Sequence, residues 1–555
     1  MDIPNLAPRP ARVGPAPWSH LAAWPSLPEM FTQTAQKFPD RACFTVFDPD
    51  EEHITYARAH QRMLVWAADL RRRGVAPGDR VGLCGKNSPE WALGFFAILF
   101  CDAVVVPLDA SLKGEEVRAL LVASGARMLW ADQDRLEVLT QAGIPDGVQL
   151  LSLEASPEPA LAPLAAPLRR GDDLAALLYT SGTTGNPKGV MLTHENLVSD
   201  AFLAQYNMPL FPTDVFYALL PIHHSYTLVA VFLVSMSCGA EVVFGKKMVV
   251  SQILKDLKQA KVTMFLGVPL LFNRLLAGIL KGIKDKGPVV NGVLRFLMSV
   301  SGLLKKTTGL NPGKALFGAV LSQAGLADIR ICISGGGPLP ASTFRGFNQL
   351  GVDFVQGYGL TETSPIVTIN PTWHYKETSV GSLIPQVELK ILEPDSNGQG
   401  VIALRGPMVM KGYYQNPEAT AEVLSSDGWL NTGDVGYIDD EHYVYLTGRA
   451  KNLIVTEGGK NVYPEEIEDR FQLFSEVDQI LVRGYVVDEA TRAEGIEAVI
   501  YPQQEPKRPT DERLAAIVSE VNTGLHVWQK ITKTTFVAEP MEMTSTKKIK
   551  RFTVG

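Results

Sequence analysis

The chain has little that could staple it together. Its five cysteines in 555 residues (Cys43, Cys84, Cys101, Cys238 and Cys332) are scattered, and no two form a C-x-x-C pair. That excludes a disulfide scaffold or a zinc ribbon, and it reads as buried thiols of a reducing compartment. Positive charge is not in excess either: the net charge is −7, which argues against an overall nucleic-acid footprint. No stretch offers the roughly 20 uninterrupted apolar residues of a membrane span. The two nearest, 91–107 and 215–244, are broken by Asp102 and by a proline, two histidines and Gly239. The first reads as helix–turn–strand and the second as buried core. The opening residues, MDIPNLAPRPARVGPAPW, lack the apolar centre of a signal peptide, so a cytoplasmic protein is expected. An ordinary P-loop is missing, because Pro187 precedes Lys188 and Gly189 follows it. No strand-linked G-x-G-x-x-G offers a convincing dinucleotide site.

What is there instead is a run at 179–190, YTSGTTGNPKGV. Glycines let a backbone approach a phosphate closely. The hydroxyls of Thr180, Ser181, Thr183 and Thr184 can donate to phosphate oxygens, Gly182 and Gly185 leave room, and Lys188 adds charge. The apolar stretch 174–179 before it predicts a buried strand. The loop would then leave a strand end, where open α/β sheets place ligands.

Along the first half, helix-spaced and strand-like segments alternate. ITYARAHQRMLVWAADLRRRG predicts a helix ending at Gly74, VGLCG a strand, EWALGFFAILF a buried helix and AVVVPL a strand. This βαβ rhythm implies a largely parallel sheet covered by helices, an α/β class. From Val387 short strands take over, followed after 448 by a compact α+β tail with a helix near 464–474. Residues 281–314 stand apart, with Lys281, Lys284, Lys286, Arg295, Lys305, Lys306 and Lys314 against the single acid Asp285. A basic amphipathic segment of this kind either lies on an anionic membrane surface or is a solvated helical insertion; the two readings have equal standing.

Four further constellations carry chemistry. QGYGLTETS (356–364) follows an apolar strand-like segment: Glu362 can hold Mg²⁺, Thr361 can donate to phosphate, and Tyr358 offers a ring beside Gly357 and Gly359. Gly335, Gly336 and Gly337 follow the strand-like IRICI and imply close approach of something flat or bulky. In NTGDVGY and GRAKNLIVTEGGKNVYPEEIE, Asp434 could accept both hydroxyls of a ribose, and Arg449 could clamp the same sugar or a phosphate. TSTKKIKR (544–551) is a basic cluster whose apolar flanks suggest that it is docked.

These motifs, in order across nearly the whole chain, resemble the adenylate-forming (AMP-binding) superfamily, and most closely its fatty acyl-CoA synthetases. The resemblance implies a large N-terminal domain of packed sheets with covering helices (1–447), a hinge (448–451) at which Lys451 falls, and a small mobile C-terminal domain (452–555). It implies two steps: a carboxylate attacks the α-phosphate of ATP to give acyl-AMP, then coenzyme A takes the acyl group. By motif, 180–188 cradle the phosphates, Gly335–Gly337 with 357–359 line the adenine and acyl pockets, Thr361 and Glu362 serve phosphate and Mg²⁺, and Asp434 and Arg449 hold the ribose. Lys548 matches the catalytic C-terminal lysine, with Lys547 at the position where glycine is common. Gly458, Gly459 and Lys460 match the face that meets coenzyme A. PIHHSY (221–226) matches the border of the acyl pocket and puts His224 nearest the reacting carboxylate, either as a positioning group or as a core histidine. The apolar LVAVFLVSMSC and FLGVPLLFNRLL are expected to wall a tunnel for a medium- to long-chain fatty acid. Competing readings are an acyl-carrier-protein or fatty acyl-AMP ligase, a non-catalytic nucleotide or lipid sensor, and a membrane-surface scaffold built on 281–314.

Overall fold

The computed structural model describes residues 23–48, 50–155, 164, 169–180, 187–245, 249–456, 460–488, 493–504, 508–544 and 548–554. Of the expected site residues, Ser181, Gly182, Thr183, Thr184, Gly185, Gly458 and Gly459 lie outside the described residues, as does Lys547.

The βαβ rhythm becomes a seven-stranded sheet. Arg80–Cys84 pairs in parallel with Val104–Leu108 on one side and Met128–Ala131 on the other. The helix Pro89–Phe100 makes the crossover. Ser88 caps it by accepting from the Trp91 N–H, with proline in the first turn where no N–H is needed. This helix is apolar all round because it touches Ala42–Val46 of a second sheet as well as Arg80–Cys84 and Val104–Leu108 of the first. The helix Tyr56–Arg72 stops before Gly74, whose φ of +92° carries the chain out of helical geometry.

The second sheet has thirteen strands. Ala42–Val46, Glu241–Phe244, Val215–Ala218, Met264–Gly267, Ile331–Ser334 and Asp353–Gly359 run parallel in that spatial order. At Asp353–Gly359 the sheet turns antiparallel and continues through Ile366–Ile369, Gly381–Leu383 and Tyr443–Arg449 to the strands beyond. The change of pattern expected at Val387 therefore comes earlier. The later short strands extend the same sheet, because each finds its hydrogen-bonding edge there.

Beyond the turn Ala450–Asn452 the chain builds a separate core around Ile454, Ile467, Phe471, Val482 and Ile500. A three-stranded sheet (Val477–Asp488, Ala493–Pro502, Lys533–Phe536) carries the helices Pro464–Phe471 and Asp511–Thr523. The C-terminal tail is docked on it: Met541 packs with Leu481, Val499 and Tyr501, and Arg551 donates to both oxygens of Glu468 at 2.6–2.7 Å.

The insertion forms the helix Pro288–Thr308, held against Ala341–Gln349 by its buried Met298, Ser301 and Lys305. Lys305 departs from both readings of 281–314, membrane-facing and solvated. Its ammonium is buried, paired with Asp353 at 2.6 Å, and donates to Asn348 Oδ1 at 2.7 Å. Lys314 likewise donates inward, to the Ile329 carbonyl at 2.9 Å. Among the described residues no helix is long and apolar enough to cross a membrane.

Candidate active site

The site gathers where the parallel strands end. Ile331–Ser334 runs into Gly335–Gly337, and Asp353–Gly359 runs into the turn Thr361–Thr363, so both glycine motifs lie at one edge of the large sheet. The close approach expected at the glycines is largely the protein's own. A side chain at Gly335 would strike the ring of Tyr226 at 2.9 Å, and Tyr226 itself donates to the Ile333 carbonyl at 3.1 Å. At Gly357 the obstacle is the Thr368 carbonyl, and at Gly359 the Pro365 carbonyl. Gly336, at φ +82°, and Gly337 are the two with ordinary room above them.

Thr180 and Lys188 face each other across the antiparallel pair Leu174–Thr180 and Lys188–Thr193, so the phosphate-type loop has a paired base. Gly412–Tyr413 adds to the other edge of Lys188–Thr193. This brings Tyr413, which sequence reasoning passed over, beneath the lysine: Lys188 Nζ lies 4.9 Å from the centre of its ring. The Tyr413 hydroxyl donates to Glu362 Oε1 at 2.9 Å. Burial, and then the Glu362 charge, raise the phenol's pKa, so Tyr413 stays a donor. No sequence signal singled it out: KGYY at 411–414 is one of five K-G pairs in the chain.

Glu362 keeps Oε2 without a hydrogen-bond partner among the described residues. Thr361 Oγ1 shares a hydrogen bond with Ser225 Oγ at 3.1 Å. Among the described residues no group of three or more His, Cys, Asp or Glu side chains could cage a metal ion. A carboxylate oxygen with no partner among the described residues, joined through Tyr413 to Lys188, suits Mg²⁺, which keeps several waters and completes its shell with substrate phosphates.

Asp434 and Arg449 sit opposite each other in paired strands and are bonded at 2.9 Å. Tyr358 donates to the other Asp434 oxygen at 2.7 Å. Asp434 is nearly buried, at 6% exposure. Its charge is the main reason the Arg449 pKa is raised. Burial and the same charge hold Tyr358 protonated. The three form a linked corner two residues before Lys451, with one donor on each Asp434 oxygen.

His223 and His224 diverge. His223 Nε2 lies 3.5 Å from Asp109 Oδ2, a partner that no motif pointed to. His224 is half-buried, and its Nδ1 is sealed from solvent with no hydrogen-bond partner among the described residues. Burial, then the charges of His223 and Lys548, push the His224 pKa down to about 4, so the ring is neutral near pH 7. Lys548 thus comes from the small domain into electrostatic range of His224. The charges of Arg449 and Asp434 in turn act on Lys548. Lys548 keeps solvent access along its side chain, yet protein crowds its ammonium; that loss of water, followed by Arg449, lowers its pKa. Lys451 and Lys460 are exposed, and Lys460 Nζ lies 5.8 Å from the centre of the Trp528 ring.

The expected acyl walls are packed by protein. Phe232 lies against Phe44, Trp91, Phe95 and Phe96 in the main core. Phe272 lies against Phe265, Phe347 and Phe354 in a second core.

The two domains touch around this site. Arg274 NH2 is 3.1 Å from Asp478 Oδ1, Asn273 donates to Gln472 at 3.2 Å, and a side chain at Gly448 would strike Tyr463 and Glu465 at 2.8 Å.

The family described as AMP-binding enzyme matches residues 31–414. The chain is 31% identical to a feruloyl-CoA synthase from an Amycolatopsis species, across 83% of this chain and 86% of that one. It is 28% identical to the chloroplastic long-chain-fatty-acid–[acyl-carrier-protein] ligase AEE15 of Arabidopsis thaliana, across 88% and 78%. It is 27% identical to the long-chain-fatty-acid–CoA ligase of Bacillus subtilis, across 92% and 89%. Among solved structures, ATP-bound MatB from Rhodopseudomonas palustris superposes with a TM-score of 0.76 at 26% identity, covering 95% of this chain and 98% of that one.

Proposed function

Because the chain belongs to the AMP-binding enzyme family, we propose that it activates a medium- to long-chain fatty acid with ATP and passes the acyl group to coenzyme A. The observation that carries the reading is the corner in which Arg449 and Tyr358 hold Asp434, with Lys548 of the small domain in electrostatic range of it. A cation there meets the negative charge that gathers as a carboxylate attacks the α-phosphate, the kind of contact that lowers a barrier by about 3–4 kcal/mol. Neutral His224 can orient the carboxylate without adding a second full charge. Asp434 presents an acceptor to the ribose hydroxyls, and Arg449 holds it aimed. Lys188 and the hydroxyls of 180–184 take the phosphates, Thr361 adds a donor, and Glu362 holds Mg²⁺, which supplies charge neutralisation when bound. Gly458, Gly459 and Lys460 receive the thiol carrier once the small domain has turned.

The fatty-acid assignment is supported by two of the three relatives named above, and a feruloyl-CoA synthase is the third. The likeness to AEE15 favours one second reading, transfer to an acyl-carrier protein. Mass spectrometry of products from the protein, ATP, Mg²⁺ and acids from acetate to oleate and ferulate, with coenzyme A or carrier protein, tests both. Acyl-CoA peaking at one alkyl length is the expected result. A peak at ferulate overturns the fatty-acid reading, and acyl-AMP that only carrier protein consumes overturns coenzyme A as acceptor.

A further inference from the structure

Helix Pro288–Thr308 presents an apolar stripe to solvent. Val289, Val293, Phe296, Val300 and Leu303 recur at spacings of four and three, which puts them on one face. Three of them are strongly exposed: Val289 at 77%, Phe296 at 68% and Leu303 at 63%. Leu310, just past the helix, is exposed as well. Single exposed apolar side chains are ordinary, but a contiguous apolar face marks an interaction site.

The face cannot roll inward. Met298, Ser301 and Lys305 on the opposite side are buried, and Lys305 is tied to Asp353 and Asn348. A side chain at Gly302 would strike Gln349, and one at Gly313 the Gly351 backbone, so the helix and the turn after it are seated closely. The charge along 281–314 is predominantly of one sign. Lys281, Lys284 and Lys286 precede the helix, Arg295 and Lys306 lie along it, and none of the five makes an ion pair among the described residues. Asp285 is the only acid in 281–314, although the whole chain carries −7.

We propose that this face docks the protein on an anionic lipid bilayer, with the helix lying in the interface plane. Charge complementarity selects this occupant. A second copy would bring two sets of unpaired cations face to face, whereas an anionic headgroup layer attracts each of them, by about fivefold in binding per cation. The apolar stripe then enters the acyl boundary and the lysines stay at headgroup level. A fatty-acid substrate, on the reading above, would be met where it partitions. Docking itself is scored without substrate, so the two ideas fail separately.

The test is co-sedimentation of the full chain with vesicles of phosphatidylcholine alone, or with about one third phosphatidylglycerol. Binding to the anionic vesicles only, weakening with added salt, is the expected result. Phe296→Glu should lower it by about tenfold or more, and the pair Lys284→Glu and Lys306→Glu by about 25-fold or more. Both variants alter exposed side chains, so melting temperatures should match the parent, and Val293→Glu gives a second apolar disruption should one of them melt early. No binding, equal binding to both vesicle types, or binding unmoved by these variants overturns the proposal. So does a dimer in sedimentation velocity that Phe296→Glu dissolves, which would assign the face to a second copy.

Discussion

Asp434 is gripped from two sides by side chains of its own domain, through Tyr358 at 2.7 Å and Arg449 at 2.9 Å, and is almost buried. Lys548 approaches the same spot from another domain with solvent along its side chain, and among the described residues its backbone is tied only to the nearby Thr544. One half of the site is built in before any ligand arrives, and the other is delivered by a body with its own core. The difference teaches that the two halves should fail differently. Damage to the built-in half should look like loss of nucleotide binding, and damage to the delivered half like loss of a single chemical step.

The largest effect expected is on that step. Lys548→Ala should cut acyl-AMP formation by about 10²–10³ while largely sparing attack of coenzyme A on supplied acyl-AMP. Single-turnover assays of each half-reaction check this, and equal loss in both would erase the distinction. Next is the independence of the small domain's fold. Glu497, in its sheet, is nearly buried and accepts from Arg483, Thr535 and Lys533 at 2.7–2.9 Å. Burial alone would raise its pKa, but these three partners bring it from 4.5 to about 2. The sign follows: an acid whose pKa is depressed on folding lends stability above its unfolded value and loses it as pH falls through the folded one. Between about pH 4.5 and 2 the small domain should lose about 2–3 kcal/mol, and Glu497→Gln should flatten that dependence in thermal melts. The smallest effect is at the contact between domains. Arg274→Asp breaks the half-exposed pair with Asp478, and adenylation should fall by less than about fivefold. Asp478→Arg added to it should restore the rate.

Sequence reading reached what is local. The capped helix Pro89–Phe100, the helix Tyr56–Arg72 ended at Gly74, and the strand before the phosphate-type loop follow from periodicity and turn chemistry over a few neighbours. It missed what depends on distant register. Tyr413 reaches Lys188 only because Gly412–Tyr413 pairs with a strand more than 200 residues earlier. The same limit explains Gly335, whose visitor is Tyr226, a residue of a remote helical turn. It also explains Lys305, whose burial depends on Asp353 and Asn348. The short apolar segments around Phe232 and Phe272 look alike as pocket wall or core, and only packing separates the two.

Arg449 is the last residue of its strand, pinned by Asp434, and the turn Ala450–Asn452 begins at the next residue. Asn452 already belongs to the other side, since its amide donates to Glu465 at 2.5 Å. A rotation confined to that turn would swing everything after it through a wide arc while Arg449 stayed at rest. Such a rotation would leave the Asp434–Arg449 pair intact, because the turn begins one residue beyond it.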